Sequence, residues 1–310
     1  MKFTRYLPFL ILCLVVMTGL SLRLHNLVPS ERGLLFPQDY DEAVWDSTAQ
    51  VMLQGYLPYR DFFATLPPVG IYLLAGILRI VNMPWGSTVG FMATRYASVF
   101  YGVATIVASY LLGRKLAGQW AGLVAAAVLA IDGMVIGVDR RALLEPPVNF
   151  FSLVTLLIYC STFDPACSAS QSRKIATLTG LLGAVCALTK TPGAVVVLTL
   201  ISVSLIRRRF AEAAIILLSF VAGWLALSAY FLMRCPEDLI KQVYFFQLLR
   251  PPDGIIRRTS RLYHIWGYTL SWLTVRAGLA GSLFATFAAI SRRQARPWLV
   301  ILVWAGYIMA

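Results

Sequence analysis

Charge is what this 310-residue sequence has least of. Asp, Glu, Lys and Arg together make up 13%, about half the share usual in a soluble domain. Apolar residues fill 59%, and mean hydropathy is +0.73. A soluble core does not hide that much apolar surface, because area shrinks too slowly with size. Histidine occurs only 2 times. The 5 cysteines, Cys13, Cys160, Cys167, Cys186 and Cys235, share no metal or redox spacing. Most sit in apolar runs, as small packing residues. No low-complexity tract, clear internal repeat or domain boundary divides the chain.

Long apolar runs are what the sequence has instead: Tyr6 to Val28, Ala211 to Met233, and Arg276 to Ile290 with its upstream neighbours. About 20 apolar residues match the hydrocarbon thickness of a bilayer. In lipid the backbone must satisfy its own hydrogen bonds, so these runs are expected as helices. Lys2 and Arg5 ahead of the first run imitate a signal peptide. The run's length and the poor cleavage site at Arg23-Leu24-His25-Asn26 predict a retained first helix instead.

The net charge of +13 invites a nucleic-acid reading. The basic residues argue against it, because they fall in short clusters between apolar runs, as topology signals do. The clusters are Lys2/Arg5, Arg114/Lys115, Arg173/Lys174, Arg207-Arg208-Arg209 and Arg292/Arg293/Arg296. Spans near 6–28, 95–113, 118–138, 147–163, 175–189, 191–206, 211–233, 265–290 and 297 onward put every cluster in the cytoplasm. The expectation is an all-α polytopic protein of the plasma (inner) membrane, with about nine spans and a cytoplasmic N-terminus. Residues 1–310 then form a single membrane domain. A span over Pro67 to Val81 would reverse the later clusters, so that stretch is predicted as a juxtamembrane or re-entrant helix. It lies inside a first outer loop of about 29–94. The last run, 297–310, is short for a span and no polar tail follows. A chain cut short at its C-terminus is therefore expected.

The same topology leaves Asp164 and Glu212 as the acids of the inner side and sends the other twelve of 14 outward. Polar chemistry is thus expected on the outer face. In the first outer loop an amphipathic helix is predicted after Asp41, with Trp45, Ala49, Met52 and Leu53 on one face and Asp46, Gln50 and Gln54 on the other. Gly55 would end it. Asp41 and Glu42 fall at its N-terminus, where the dipole favours ionised carboxylates. Two readings stand there: a helix cap at Asp39 or Asp41, or a base that takes a proton from an acceptor hydroxyl. Tyr59-Arg60-Asp61-Phe62 follows, with Arg60 and Asp61 as a local pair fixing the loop. In the second outer loop Glu145 precedes Pro146-Pro147, either capping the next helix or facing the same cavity as Asp41. Lys190 sits between two short apolar runs, where a lysine needs a partner or a wet cavity and is a functional candidate by default. A later outer loop, about 234–262, gathers Arg257, Arg258 and Arg261. These run against the positive-inside bias and suit an anion, unless they are simply solvated.

The Asp41-Glu42 pair, Tyr59-Arg60-Asp61-Phe62, Pro67-Pro68 with Gly70 and Tyr72, the stretch from Thr94, Arg141 to Pro146, and Thr189-Lys190 resemble the GT-C polyprenyl-phosphate-sugar glycosyltransferases. The likeness is strongest to the branch of protein O-mannosyltransferases and lipid A aminoarabinose transferases, and strongest from about 38 to 195. The resemblance implies transfer of a sugar from a lipid-linked phosphate donor to a hydroxyl on the outer face. The acceptor would be a protein, lipid or glycan, and membrane lipids would surround the site. It implies Asp41 as the base, with Glu42 beside it, and Glu145 as the second-loop acid where many relatives have Asp. Many relatives also carry a basic residue just before Pro-Pro. Leu66 stands there in this chain, so donor phosphate is expected to rest on Lys190 with Arg257, Arg258 and Arg261. No cofactor is implied, no metal-ligand spacing appears, and a divalent ion between Asp41 and Glu145 stays open. Two other readings remain: a flippase for lipid-linked sugars, whose sites lie near the midplane at broken helices, and a truncated transferase serving as a scaffold.

Overall fold

A computed structural model describes residues 3–25, 27, 40–85, 87–249 and 300 of the chain. Helices make up the regular structure of these residues, beside one isolated bridge between Pro58 and Phe62. In order they are α1 (Phe3–Leu24), α2 (Tyr40–Leu53), α3 (Pro68–Trp85), α4 (Ser87–Ala117), α5 (Gln119–Ile131), α6 (Gly133–Asp139), α7 (Glu145–Tyr159), α8 (Ala169–Thr189), α9 (Ala194–Ile206), α10 (Phe210–Arg234), α11 (Pro236–Ile240) and α12 (Phe246–Leu249). The all-α membrane architecture expected from hydropathy is what forms. Among the described residues, four helical segments are long and apolar enough to cross a membrane: Tyr6–Leu24, Val89–Ala117, Glu145–Phe163 and Phe210–Arg234. Much of α1 and α10 stays uncovered by protein, with Phe9, Leu14, Leu218 and Met233 exposed. Apolar surface on that scale suits lipid contact.

The stretch expected as a span over 118–138 is apolar enough to cross, but it is broken rather than continuous, because α5 and α6 meet at a 66° bend. Asp132 ends α5 and caps α6, its carboxylate accepting from the backbone N–H groups of Met134 and Val135 at 2.9 and 3.0 Å. A short acidic side chain that satisfies two first-turn donors starts a new helix even inside an apolar run. Residues 68–85 form a helix shorter in its apolar part than the spans, resting on α2, α4 and α8. The predicted spans at 265–290 and 297 onward lie outside the described residues.

Close crossings hold the bundle. At Gly122 a Cβ would come within 2.4 Å of the Tyr110 carbonyl oxygen, so α5 lies directly on α4 there. A further tight seam joins α8 to α10, where a Cβ at Gly180 would lie 2.5 Å from the Ile216 carbonyl oxygen. The polar residues gather at the two ends of these helices. At one end the C-termini of α7 and α9 meet the N-termini of α8 and α10 around Glu212. Its carboxylate accepts from Ser172, Ser204 and Arg209 at 3.0, 3.2 and 3.1 Å. Arg207 reaches Thr162 at 3.0 Å and covers the Phe163 ring, and Lys115 bonds Ser161 at 2.6 Å. Basic clusters 114–115, 173–174 and 207–209 therefore share one end, as helix parity required. The opposite end carries the acids of the first and second loops.

Candidate active site

The site end is organised by two fully buried ion pairs. Arg95 in α4 forks onto Glu42 in α2, Nε to Oε1 at 2.7 Å and Nη2 to Oε2 at 2.8 Å. Both side chains are 0% exposed. The Ala142 N–H donates to the same Glu42 Oε1 at 2.7 Å, and Arg95 Nη1 reaches the Leu27 carbonyl at 3.4 Å. Arg23, at the end of α1, donates through Nε to Asp139 Oδ2 at 2.8 Å and caps the carbonyls of Gly19, Leu129 and Ala130. The second loop is thus pinned at Asp139 and Ala142, and again where Ser98 donates to the Leu143 carbonyl at 3.3 Å.

That loop delivers Glu145 to Lys190. Lys190 ends α8 in extended backbone, and its ammonium lies 2.5 Å from Glu145 Oε1 and 4.6 Å from the centre of the Trp45 ring. The two side chains are 26% and 37% exposed, so protein covers neither completely. Glu145 opens α7 but caps nothing, which settles its cap reading against it. Gly70 makes this convergence fit, because a Cβ there would lie 2.6 Å from the Thr189 carbonyl oxygen and 2.7 Å from Leu144.

Asp41 lies beside Glu42 in the first turn of α2, half-buried, while Glu42 points wholly into protein. The two acids that sequence spacing left equivalent therefore have different surroundings. Asp39, the other cap candidate, and Arg257, Arg258 and Arg261 lie outside the described residues. On another side of α2, Ala43, Val44, Ser47, Thr48, Val51 and Phe62 line an open groove of about 300 Å³. That is the low end of ligand-pocket size.

The loop after α2 carries its own local contacts. Arg60 and Asp61 form an exposed pair at 2.8 Å, and Asp61 also accepts from the Leu57 N–H at 2.7 Å. Tyr59 adopts φ 71°, a left-handed conformation rare for a bulky residue. Its buried hydroxyl donates to the Leu66 carbonyl at 2.5 Å and its ring meets Phe231 edge-on. Gln242 grips the same loop twice, donating to the Tyr59 carbonyl at 2.6 Å and accepting from the Ala64 N–H at 2.9 Å. Gln242 falls in a π-helical turn, Lys241–Phe245.

Asp46 overturns its expected place on the polar face. It is 5% exposed, its Oδ2 accepts from Gln50 at 2.5 Å, and Oδ1 has no hydrogen-bond partner among the described residues. Leu53, expected on the apolar face, is exposed. Burial raises the Asp46 carboxyl from 3.8 to about 6, offset by the Gln50 bond and reinforced by Glu42. Between those two values the folded state holds more proton than the unfolded chain, so stability falls as pH rises through that window. Asp46→Asn is expected to abolish that slope and to stabilise the protein above the window by up to about 3 kcal/mol. Thermal unfolding in detergent on either side of the window measures it. A wild-type midpoint that moves in parallel with the variant's would refute the assignment.

Arg23, Arg95, Asp139 and Gln242 are contributors to which the sequence alone gave no role. Arginines in otherwise apolar helices were the available signal. No three of His, Cys, Asp and Glu converge as a metal-binding set among the described residues.

Residues 40–243, which carry these groups apart from Arg23, match the sequence model of the dolichyl-phosphate-mannose-protein mannosyltransferase family. The chain belongs to that family. No curated protein sequence matches it. Its fold is shared with solved structures of GT-C transferases. The S. cerevisiae protein O-mannosyltransferase Pmt1-Pmt2 complex, bound to its sugar donor, aligns with TM-score 0.58 and 20% identity over 75% of this chain and 34% of that one. The Archaeoglobus fulgidus oligosaccharyltransferase AglB, with an inhibitory peptide and a dolichol-phosphate, gives 0.65 and 14% over 98% and 47%. ArnT from Cupriavidus metallidurans, bound to undecaprenyl phosphate, gives 0.56 and 16% over 98% and 58%. This family member thus spans about a third to somewhat over half of the length of those structures.

Proposed function

We propose that the protein is a multi-pass membrane glycosyltransferase that moves a sugar from a polyprenyl-phosphate donor to a hydroxyl acceptor. The observation that carries this is the Glu42–Arg95–Ala142 clamp, which holds Asp41 at the first turn of α2 while the same loop carries Glu145 to Lys190. The acceptor oxygen attacks the anomeric carbon, the bond from that carbon to the phosphate oxygen breaks, and the lipid phosphate leaves. Asp41 takes the acceptor proton. A phosphate leaves readily when its growing charge is neutralised by a fixed donor in a partly desolvated site. Lys190 supplies that charge, and Arg257, Arg258 and Arg261 are assigned to the same task. Glu42 positions Asp41, and Tyr59, Arg60 and Asp61 hold the loop behind it. The basic clusters at the Glu212 end favour a cytoplasmic N-terminus in the plasma (inner) membrane and a site on the outer side.

The donors bound to the Pmt1-Pmt2 complex and the lipid phosphates bound to AglB and ArnT support the donor class. The test is sugar transfer in proteoliposomes from a polyprenyl-phosphate sugar against the matching nucleotide sugar. Transfer from the lipid donor alone is expected. Transfer from the nucleotide sugar alone, or from neither, overturns the proposal.

A further inference from the structure

Lys190, the cation to which donor phosphate is assigned, already has an anionic partner. Its ammonium is 2.5 Å from Glu145 Oε1. The second carboxylate oxygen, Oε2, is buried and has no hydrogen-bond partner among the described residues. Glu145 opens α7, where backbone N–H groups would normally hold a carboxylate. The next two residues are Pro146 and Pro147, which have none. Lys190 is therefore the anchor of this carboxylate, and the side chain's 37% exposure leaves room to turn away. The ammonium also lies 4.6 Å from the centre of the Trp45 ring, within cation–π distance.

A phosphate that approaches Lys190 meets the Glu145 charge at the same atom. Two anions crowded on one ammonium repel, so one must leave or take up a proton. We infer that Glu145 is a resident counter-anion that competes with lipid phosphate for Lys190, so that donor entry exchanges one anion for the other. The competition bears most on the spent carrier. The donor's phosphodiester carries one negative charge, whereas the phosphomonoester left after transfer approaches two at neutral pH. A lone cation holds the product more tightly than the substrate. Glu145 returning to Lys190 opposes that retention and helps to expel the carrier. The pair also keeps Lys190 compensated and in place while the site is empty.

This inference rests on the donor-phosphate reading of Lys190, and the test separates the two. Binding of undecaprenyl phosphate to the full chain in nanodiscs is measured by tryptophan fluorescence, with Trp45 beside the pair, and confirmed with a radiolabelled lipid. The proteins are wild type, Glu145→Gln, Glu145→Asp, Lys190→Gln and the Glu145→Gln/Lys190→Gln double variant. Removing a half-exposed competing charge is expected to tighten binding about fivefold in Glu145→Gln. Glu145→Asp stays near wild type because it keeps the charge. Lys190→Gln weakens binding, and in that background Glu145→Gln brings no tightening. Multiple-turnover assays are expected to show stronger inhibition of Glu145→Gln by added undecaprenyl phosphate. Unchanged or weaker binding in a folded Glu145→Gln, while Lys190→Gln still weakens it, sinks the exchange and leaves the donor reading standing. Equal tightening with and without Lys190 also sinks it, since a general charge effect would then suffice. A wild type that binds no lipid phosphate overturns both.

Discussion

Glu42→Ala is expected to destabilise the protein by about 3–5 kcal/mol, the usual consequence of removing one partner of a buried ion pair. Arg95 is 0% exposed and would keep its charge with no water to solvate it. The Ala142 N–H would lose its acceptor as well, and an orphaned buried donor costs about a further 1–3 kcal/mol. Domains of ordinary stability hold about 5–15 kcal/mol in total, so the combined loss approaches that reserve. Glu42→Gln keeps the shape and one acceptor oxygen for Ala142 but still strands the Arg95 charge, so it should fall between. The double change of Glu42→Gln with Arg95→Met removes the stranded charge and is expected to recover part of the loss. Midpoints of thermal unfolding in detergent measure the series. Glu42→Ala is expected on the order of 10 °C below wild type. A Glu42→Ala protein that unfolds with wild type yet transfers no sugar would return Glu42 to the chemistry and remove it from the scaffold.

The sequence revealed groups more readily than partnerships. The long apolar runs of α1, α4, α7 and α10 announce themselves because lipid demands about 20 apolar residues in a row. Gly55, at φ 100°, ends α2 as its lack of a side chain suggested. Lys190 drew attention because a lysine between apolar runs needs compensation. Glu145 stands out only as an acid ahead of Pro146-Pro147, and nothing local joins it to Lys190 across 45 residues. Arg95 and Glu42 are 53 apart and Arg23 and Asp139 are 116 apart, so no helical period links them. Asp46 was misplaced for a related reason. It follows Glu42 by one turn of helix and shares its face. Glu42 is drawn inward by Arg95, and Asp46 goes with it despite the polar character that periodicity gave it. The break at Asp132 did have a local signal, since Asp followed by Gly inside an apolar run is a helix start. Uniform hydropathy on both sides masked it.

Asp41→Asn is expected to lower kcat by about 10²–10⁴ while leaving the fold intact, the range assigned to a general base. The amide matches the carboxylate in shape, and neither the Glu42–Arg95 fork nor the Ala142 contact involves Asp41. Its thermal midpoint is expected to fall far less than that of Glu42→Ala, because the amide keeps the side chain's shape and an acceptor oxygen. Binding of lipid phosphate should change far less than in Lys190→Gln, because that task is assigned to Lys190. The loss then appears in kcat rather than in donor KM, as expected for a group that acts as the acceptor proton moves. Sugar transfer in proteoliposomes at saturating donor, with unfolding and lipid binding measured on the same preparations, separates these quantities. Asp41→Asn retaining more than about a tenth of wild-type kcat would exclude Asp41 as the base, because an amide does not accept the proton. A raised donor KM with unchanged kcat would place Asp41 in donor binding instead. Loss confined to kcat in Asp41→Asn, beside loss of fold in Glu42→Ala, would assign the two adjacent acids their separate duties, one facing the reaction and one holding the helix that presents it.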